Sequence, residues 1–466
     1  MVLIFFGKRD LAFGINLPER SEIWKTFLGL SAGPYSRHAA CGYAHCGALH
    51  LHFRGDIGEP CPLLDRHQSE ATCLRYVPPG FRPIARRRGA SVDLRGDIMR
   101  VVICGGGVIG ACIAYFLARR GIDVIVIERT EVAAAASGKA GGFLALDWCT
   151  GTPLDELARR SFQLHAALPN KIAGDWGYQR MTAYSGFVVG DRDPRRHTPA
   201  KLAWLASGII IADRLGTPKT TAIVHPRKFT SAIMSAAQKH GAELRAGQVT
   251  GIVWSADRST VRGVEVGGAL LEADTVVIAM GPWSLMAAAW LDLPAVFGQR
   301  SPSLVYDTGT DVKADALFLE YQEESGAIVS VEVFPRGDGS THITAFSNEA
   351  PLPLEPAAVT SDPSEIDRLQ AICGRLSPVF RSERITARQA CFRPITQDGL
   401  PLIGKVPQSE GAYVATGHSV WGILNAPATG EALAELIAEG VSPTLDLTPF
   451  DPGRLRPLRP PLLRSD

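Results

Sequence analysis

Short apolar runs separated by turn residues predict an alternation of strands and helices from position 100 onward. Arg100–Cys104 has the composition of a short buried strand, and Ala111–Arg120 shows the spacing of apolar residues that is typical of a helix. Gly121 ends the predicted helix, and Asp123–Ile127 forms a second predicted strand that leads to Glu128. This order indicates a parallel βαβ unit and hence an α/β fold.

The loop between the first predicted strand and the helix is rich in glycine. Gly105, Gly107 and Gly110 fit the spacing GxGxxG. In that motif the first glycine allows a tight turn, the second lets the backbone approach a pyrophosphate, and the third lets helix and strand pack closely. Glu128 lies 18 residues after Gly110, where a carboxylate accepts hydrogen bonds from ribose hydroxyls. The unit predicts a dinucleotide with an unphosphorylated ribose, FAD or NAD; a glycine-rich turn in another βαβ unit is the alternative.

Composition and charge narrow the possible partners. A net charge of +1 gives no reason to expect nucleic acid or an anionic membrane as a partner, and no apolar run reaches the roughly 18 residues of an integral membrane segment. Nine cysteines in 466 residues do not form a disulfide scaffold, which favours a reducing compartment and a cytoplasmic location. We expect no bound metal, and the length predicts two or three domains.

Residues 1–98 differ from the rest of the chain. They hold four of the nine cysteines and five of the eleven histidines but show little helical or alternating periodicity. No CxxC pair occurs among these cysteines, which disfavours a zinc site. Acidic residues such as Asp10 and Glu19 argue against a transit peptide, although organellar targeting stays open. We interpret the segment as a disordered or non-native extension before a true start at Met99.

Further motifs decide between FAD and NAD. They are a small-residue loop with Ser137-Gly138 and Gly141-Gly142, the strand and turn of Ala273–Ser284, the run Cys391–Gly404 and the closing segment Ala415–Gly430. Together with the glycine-rich loop they resemble, in order, the motifs of the D-amino-acid oxidase-like FAD oxidoreductases, a family that includes glycine oxidase and sarcosine oxidase. Met280 and Ser419 depart from the family pattern. The resemblance covers residues 100–440, looks closest to poorly characterised cytoplasmic members of fungi and plants, and implies FAD as the cofactor.

The resemblance also implies which residues lie along FAD. Towards the ADP half these are Gly105, Gly107, Val108, Ile109, Gly110, Glu128, Arg129, Ser137, Gly138, Ala140, Gly141, Gly142 and Val249, and towards the flavin ring they are Ala279, Gly281, Trp283, Gly417, His418, Trp421, Gly422 and Ile423. Backbone N–H groups of the closing segment are implied to reach the flavin edge, where negative charge develops on reduction. A helix that begins at Pro427 and Thr429-Gly430 is expected to add its positive end.

The chemistry that the resemblance implies is hydride transfer from the carbon beside a substrate nitrogen to N5 of bound flavin. Arg393 is the leading candidate for substrate binding, because a guanidinium fork matches a carboxylate with two hydrogen bonds. A structural ion pair between Arg393 and an acid such as Asp398 is the alternative. The implied partner is a small amine or amino acid, and the electron acceptor is unknown.

Three more residues have a candidate role and an alternative. His418 is a candidate catalytic residue that titrates near neutral pH, or it supports the geometry of its loop. Cys391 aligns with the cysteine that sarcosine oxidase couples to its flavin, or it is a small buried apolar residue. Lys139 is a candidate for activating oxygen at the flavin, or it is a surface lysine.

The positions of the motifs predict two interleaved regions. A Rossmann-type FAD-binding domain is assigned to residues 99–150, 220–285 and 391–450, and a substrate domain with an antiparallel sheet to residues 151–219 and 286–390. Gly326–Glu332 and Thr341–Phe346 have the composition of strands in such a sheet. Residues 451–466 form the tail, and the proline-rich stretch Pro449–Pro461 is expected to be extended and exposed. The predicted fold class is α/β, or α+β overall.

These patterns favour an FAD-dependent amine or amino-acid oxidoreductase. A flavoprotein of low turnover with a role in trafficking or assembly is the alternative. An NAD-dependent dehydrogenase is disfavoured, because no second GxGxxG module is found in the chain.

Overall fold

The computed structural model describes residues 99–188 and 202–458, so the predictions for residues 1–98 lie outside the described part of the chain. Its helices are α1 (Val108–Ala118), α2 (Ala136–Lys139), α3 (Asp155–Ala167), α4 (Pro226–Lys239), α5 (Pro363–Leu376) and α6 (Gly422–Glu439). Its strands are β1 (Arg100–Cys104), β2 (Asp123–Glu128), β3 (Phe143–Ala145), β4 (Gln179–Arg180), β5 (Thr182–Val188), β6 (Ile209–Gly216), β7 (Thr221–Ile223), β8 (Glu243–Ala246), β9 (Val249–Trp254), β10 (Val261–Val266), β11 (Ala269–Glu272), β12 (Thr275–Ile278), β13 (Val296–Asp307), β14 (Asp315–Gln322), β15 (Ile328–Pro335), β16 (Ser340–Thr344), β17 (Asn348–Glu349), β18 (Ile385–Thr396), β19 (Leu402–Lys405) and β20 (Ala412–Thr416).

A six-stranded sheet in the order β19-β20-β12-β1-β2-β8 carries the predicted βαβ unit. Its strands are parallel except for β19, which is antiparallel to β20 at one edge. Val101 and Ile103 pack in one core with α1, α4 and α6, and Val102 packs in a second core with β9 and β10. Burial on both faces explains why β1 is almost entirely apolar. The Rossmann-type part of the prediction is confirmed.

An eight-stranded sheet has the order β17-β13-β16-β15-β14-β5-β6, and β18 pairs with β13. Its neighbouring strands are antiparallel except for the pair β14 and β5. Side chains alternate between its faces: Leu319 of β14 packs in a core with Leu369 of α5, whereas Phe318 lies on the other face and lines a cavity. The strands expected over Gly326–Glu332 and Thr341–Phe346 are confirmed as β15 and β16, with bounds shifted by a few residues.

Two smaller sheets complete the described fold, β9-β10-β11 and β3-β7-β4. Helix α4 begins at Pro226, directly after its N-cap residue His225. No helix in residues 99–188 or 202–458 is long and apolar enough to cross a membrane. The α/β fold class with an added antiparallel sheet is confirmed, whereas the assignment of residue ranges to two domains stays a prediction.

The last helix differs from the prediction. It begins at Gly422 and contains Pro427, rather than beginning at Pro427. Proline has no N–H group to donate to the carbonyl four residues earlier, which here belongs to Ile423. His165 of α3 lies 2.9 Å from that oxygen through Nε2, and Ser161 of α3 accepts a hydrogen bond of 3.1 Å from the N–H group of Ala428. Side chains of another helix therefore satisfy the backbone groups that the proline leaves open.

The proline-rich tail also differs from the prediction up to residue 458. Phe450 is 2% exposed, and Arg454 forms a two-pronged ion pair with Asp398 at 2.7 and 3.0 Å. Pro457 forms a bridge with Pro294. This part of the tail is therefore packed against the protein beside β19 rather than extended and exposed. Residues 459–466 lie outside the described part.

Candidate active site

A large cavity lies where the carboxyl ends of β1, β2, β12 and β20 meet the face of the eight-stranded sheet, with an empty volume of about 2180 Å³ that is partly open to solvent. Ligands of open α/β sheets commonly bind at the carboxyl ends of the strands. The predicted residues that line it are Gly105, Gly107, Val108, Ile109, Glu128, Arg129, Ser137, Ala140, Gly141, Gly142, Val249, Ala279, Gly281, Trp283, Arg393, His418, Trp421, Gly422 and Ile423. The tertiary structure therefore brings together residues from three distant parts of the chain.

Three of the predicted glycines lie behind the lining of the cavity. A Cβ atom on Gly110 would come within 2.0 Å of the carbonyl oxygen of Gly105, and one on Gly138 within 2.1 Å of the carbonyl oxygen of Ala133. Gly417 has a φ of +80°, which disfavours side chains. These glycines allow the protein to pack against itself and set the shape of the loops, rather than making room for a ligand.

Gly107 is different, because its missing side chain leaves space on the cavity side. A Cβ atom there would meet a single neighbour within 4 Å, the Ser137 hydroxyl at 3.1 Å. The same hydroxyl accepts a hydrogen bond of 2.9 Å from the N–H group of Val108 in the first turn of α1. Unpaired N–H groups at a helix N-terminus attract phosphate. The cradle at Gly107 therefore fits a pyrophosphate.

Glu128 is held rigidly at the end of β2. Its Oε2 atom accepts a hydrogen bond of 2.7 Å from the N–H group of Gly106, and its Oε1 atom accepts two of 2.9 Å from the N–H and hydroxyl groups of Thr130. Carboxylate oxygens have about four acceptor positions in total. The carboxylate can therefore still accept a hydrogen bond from a ribose hydroxyl in the cavity.

A segment that the sequence did not indicate closes this end of the cavity. Arg129 donates to the carbonyl oxygen of Leu354 at 3.0 Å and forms an ion pair with Glu355. The indole N–H of Trp283 donates to the carbonyl oxygen of Pro353 at 2.8 Å. Arg129 and Trp283 thus anchor a loop that follows β17, in addition to lining the cavity. No motif in the sequence marks residues 353–355.

At the other end of the cavity, the N-terminus of α6 lies beside His418. The imidazole of His418 is 3% exposed and hydrogen-bonds with the Thr429 hydroxyl at 3.1 Å. Burial lowers the pKa of His418 to about 3, so the expected titration near neutral pH is wrong. Neutral His418 ties its loop to the second turn of α6, which matches the alternative reading of a residue that supports loop geometry.

The wall opposite the nucleotide end is the face of the eight-stranded sheet. Arg393 and Cys391 of β18 lie on this face, with Glu332 of β15 and His342 of β16. The sequence predicted Arg393 and Cys391, but not Glu332 or His342. Strand periodicity alone does not tell which face of a strand meets a cavity.

The guanidinium of Arg393 is free in the cavity. Within the described residues, the side chain of Arg393 forms no hydrogen bond or ion pair. Asp398, the acid expected as its structural partner, is held instead by Arg454. The expected ion pair between Arg393 and Asp398 is therefore not formed, and the role of Arg393 in binding a ligand stays a prediction.

Cys391 and Lys139 lie together at the cavity wall. Burial raises the pKa of the Cys391 thiol, although the charges of Arg393 and Lys139 offset part of this rise. The neutral thiol is thus favoured over the thiolate that an attack on flavin requires. Lys139 is half-buried and donates to the carbonyl oxygen of Ala390 at 3.1 Å, and burial lowers its pKa. Lys139 therefore lies in the wall of the cavity, and its role at the flavin stays a prediction.

His342 is a buried residue of the cavity wall that the sequence did not single out. Its Nε2 atom lies 3.2 Å from the carbonyl oxygen of Lys139, and its Nδ1 atom has no partner. Burial, together with the positive charge of Arg336, lowers the pKa of His342 well below its usual value. The ring is therefore neutral, and its buried Nδ1 atom has no hydrogen-bond partner in the described structure.

Comparisons with known proteins identify the family. A family model described as FAD dependent oxidoreductase (DAO) matches residues 100–436. The chain belongs to this family. A glycine oxidase of Pseudomonas aeruginosa is 29% identical over 381 residues, which cover 76% of this chain and 99% of that protein. A Schizosaccharomyces pombe protein named provisionally as an oxidoreductase is 30% identical, with 76% of this chain and 97% of that protein covered.

A solved structure supports the same assignment of this FAD-dependent oxidoreductase. The crystal structure of glycine oxidase from Geobacillus kaustophilus has a TM-score of 0.64 and 26% identity, and covers 76% of this chain and 98% of that chain. FAD as the cofactor is therefore confirmed, and NAD is not. Neither the family model nor these relatives support the alternative role in trafficking or assembly.

Proposed function

We propose that this FAD-dependent oxidoreductase oxidises a small amine or amino acid that carries a carboxylate, and that Arg393 binds this carboxylate. The free guanidinium of Arg393 in the cavity carries the proposal, because a partly buried charge without a partner is costly unless a ligand compensates it. A carboxylate matches a guanidinium with two charge-assisted hydrogen bonds. Glycine oxidase, a relative by sequence and by structure, is named for an amino acid.

The residues that would hold FAD follow from the two ends of the cavity. The cradle at Gly107 and the N-terminus of α1 would take the pyrophosphate, and Glu128 would take the ribose. The N-terminus of α6, beginning at Gly422, would face the ring with its positive end. When bound, FAD supplies the two-electron acceptor for oxidation of a carbon–nitrogen bond. His418 is a positioning residue in this proposal, and a cytoplasmic location belongs to it as well.

The test is anaerobic reduction of the FAD-loaded protein. Glycine, sarcosine, D-alanine and simple amines without a carboxylate are each added, and loss of the blue flavin absorption band is followed. We expect at least one carboxylate-bearing amine to bleach the band. A fully loaded protein that is bleached by no amine would contradict the proposed function.

The role of Arg393 is tested by Arg393→Ala with Arg388→Ala as the matched control. Arg388 lies on the same strand, is exposed and does not line the cavity. We expect Arg393→Ala to weaken binding of carboxylate ligands by about 10- to 100-fold, the range for hydrogen bonds to charged groups. Arg388→Ala should leave binding unchanged. Equal affinity in the two variants would remove Arg393 from the proposal.

A further inference from the structure

Glu332 places a carboxylate in the cavity wall that no motif explains. It lies on β15, directly opposite Phe318 of β14 and Thr344 of β16, and all three residues line the cavity. Within the described residues, the side chain of Glu332 forms no hydrogen bond or ion pair. Carboxylates are rarely buried without a partner, because removing the charge from water is costly. A cationic ligand would compensate this charge.

Arg393 shares the cavity with Glu332 but does not neutralise it by direct contact. Burial raises the pKa of the Glu332 carboxyl, and the positive charge of Arg393 offsets part of the rise. The two groups are therefore close enough to interact, although they form no ion pair. An acid and a base that are both free and face one cavity are complementary to a ligand that carries both charges.

Four aromatic rings share the cavity with Glu332, and one of them, Phe318, lies opposite it on the neighbouring strand. The centroids of Phe318 and Trp148 are 4.9 Å apart, those of Phe318 and Phe334 are 5.6 Å apart, and Phe143 packs against all three at 5.1 to 5.6 Å. All four rings line the cavity. Aromatic faces attract alkylammonium groups and also accept apolar substituents. The surroundings of Glu332 thus suit a protonated amine better than a second anion.

We propose that Glu332 is a specificity-determining residue that binds the protonated amine of the substrate while Arg393 binds its carboxylate, so that the site selects zwitterionic amino acids. This inference rests on the proposed function. It assigns the two ends of the substrate to two walls of the cavity. It also predicts that a carboxylate ligand without an amine binds less well than the corresponding amino acid, since such a ligand would leave Glu332 unpaired beside it.

The test compares ligands that differ in the amine alone. Sarcosine and methoxyacetate have similar shapes, but methoxyacetate carries a neutral ether in place of the ammonium; glycine and glycolate form a second pair. Dissociation constants are measured for the FAD-loaded protein by calorimetry and by shifts of the flavin absorption bands. We expect each amino acid to bind more tightly than its partner. The inference would be overturned, without any substitution in the protein, if neither amino acid bound more tightly than its partner ligand.

Glu332→Gln removes the charge and keeps the shape. We expect it to weaken binding of sarcosine and glycine by about 10- to 100-fold, and to leave methoxyacetate and glycolate unchanged or bound more tightly, because Arg393 then interacts with the ligand alone. Glu320→Gln is the matched control, since Glu320 lies on the neighbouring strand β14 but does not line the cavity. A parallel change for both members of a pair would refute the role of Glu332.

The outcomes separate this inference from the function on which it rests. If an amino acid bleaches the flavin and its affinity is the same in Glu332→Gln, the role of Glu332 fails and the proposed function stands. If no amine bleaches the flavin of the loaded protein, the proposed function fails, whatever selectivity the binding measurements show.

Discussion

The contact between α3 and Pro427 leads to a prediction about stability. In α6 the carbonyl oxygen of Ile423 lacks its usual partner, because Pro427 has no N–H group, and Nε2 of His165 lies 2.9 Å away. Burial lowers the pKa of His165 to about 4, so at neutral pH the ring is neutral. Its Nδ1 atom has no partner in the described structure, which is consistent with the proton on Nε2.

We expect His165→Leu to lower the free energy of unfolding chiefly by leaving a buried carbonyl without a donor. Ile423 is 7% exposed and His165 is 0% exposed, so water does not replace the lost hydrogen bond. The cost of such an unpaired group is about 1–3 kcal/mol. The substitution also removes the ring contact of His165 with Phe229, whose centroids are 4.8 Å apart, and this adds a cost unrelated to the proline.

A double-mutant cycle with Pro427→Ala separates the two costs. Alanine at 427 restores an N–H group that can bond to Ile423 within the helix, so the donor of His165 becomes redundant, whereas the contact with Phe229 is lost in both backgrounds. Urea unfolding at a fixed FAD concentration should show His165→Leu costing about 1–2 kcal/mol less in the Pro427→Ala protein. An equal cost in both backgrounds would refute the argument that His165 compensates for the proline.

Three further predictions concern the glycines and the buried histidines. Gly107→Ala should leave the fold intact but weaken FAD binding at least about tenfold, because a Cβ atom there meets one side-chain oxygen at 3.1 Å yet fills the phosphate cradle; unchanged FAD affinity would contradict the cradle. Gly430→Ala should instead lower the melting temperature, since its Cβ atom would lie 2.6 Å from the backbone of Cys112 in α1, and an unchanged melting temperature would show that the helices separate freely. The free energy of unfolding should decrease as the pH falls from about 6.5 to 4. In the folded chain the pKa values of His165 and His418 are about 4 and 3, so over this range the unfolded chain binds a proton at each histidine and the folded chain largely does not. The shift of His165 corresponds to about 3 kcal/mol, and a flat profile of unfolding free energy over this range would contradict the burial of both rings as neutral groups.

The part of the fold that local rules govern could be predicted from the sequence. The order β1, α1, β2 and the roles of Gly105 and Gly110 depend on residues within about one βαβ unit, where apolar periodicity and glycine conformation decide the structure. The start of α6 could not be predicted in this way. Proline is common in the first turn of a helix, so the sequence suggests that the helix begins at Pro427. The residue that allows Pro427 inside the helix is His165, which lies 258 positions from Ile423 in the chain.

The candidate site shows the same division. Arg393 could be singled out by its motif. Whether it pairs with Asp398 depended on Arg454, which lies 56 positions from Asp398 and forms the ion pair with it instead. The alternation of β15 predicted a strand that includes Glu332, but not that Glu332 faces the cavity.

The sequence by itself determined the dinucleotide unit, several of the strands and the choice of FAD, because these depend on short-range backbone geometry and on motifs that are contiguous in the chain. The tertiary structure alone decided which charges in the cavity have partners. Ion pairs and hydrogen bonds form between side chains that are close in space, and no local rule specifies that Arg454 pairs with Asp398 or that the side chains of Arg393 and Glu332 form no ion pair or hydrogen bond within the described chain. The part of the site that selects the substrate is therefore the part that the sequence pattern left open.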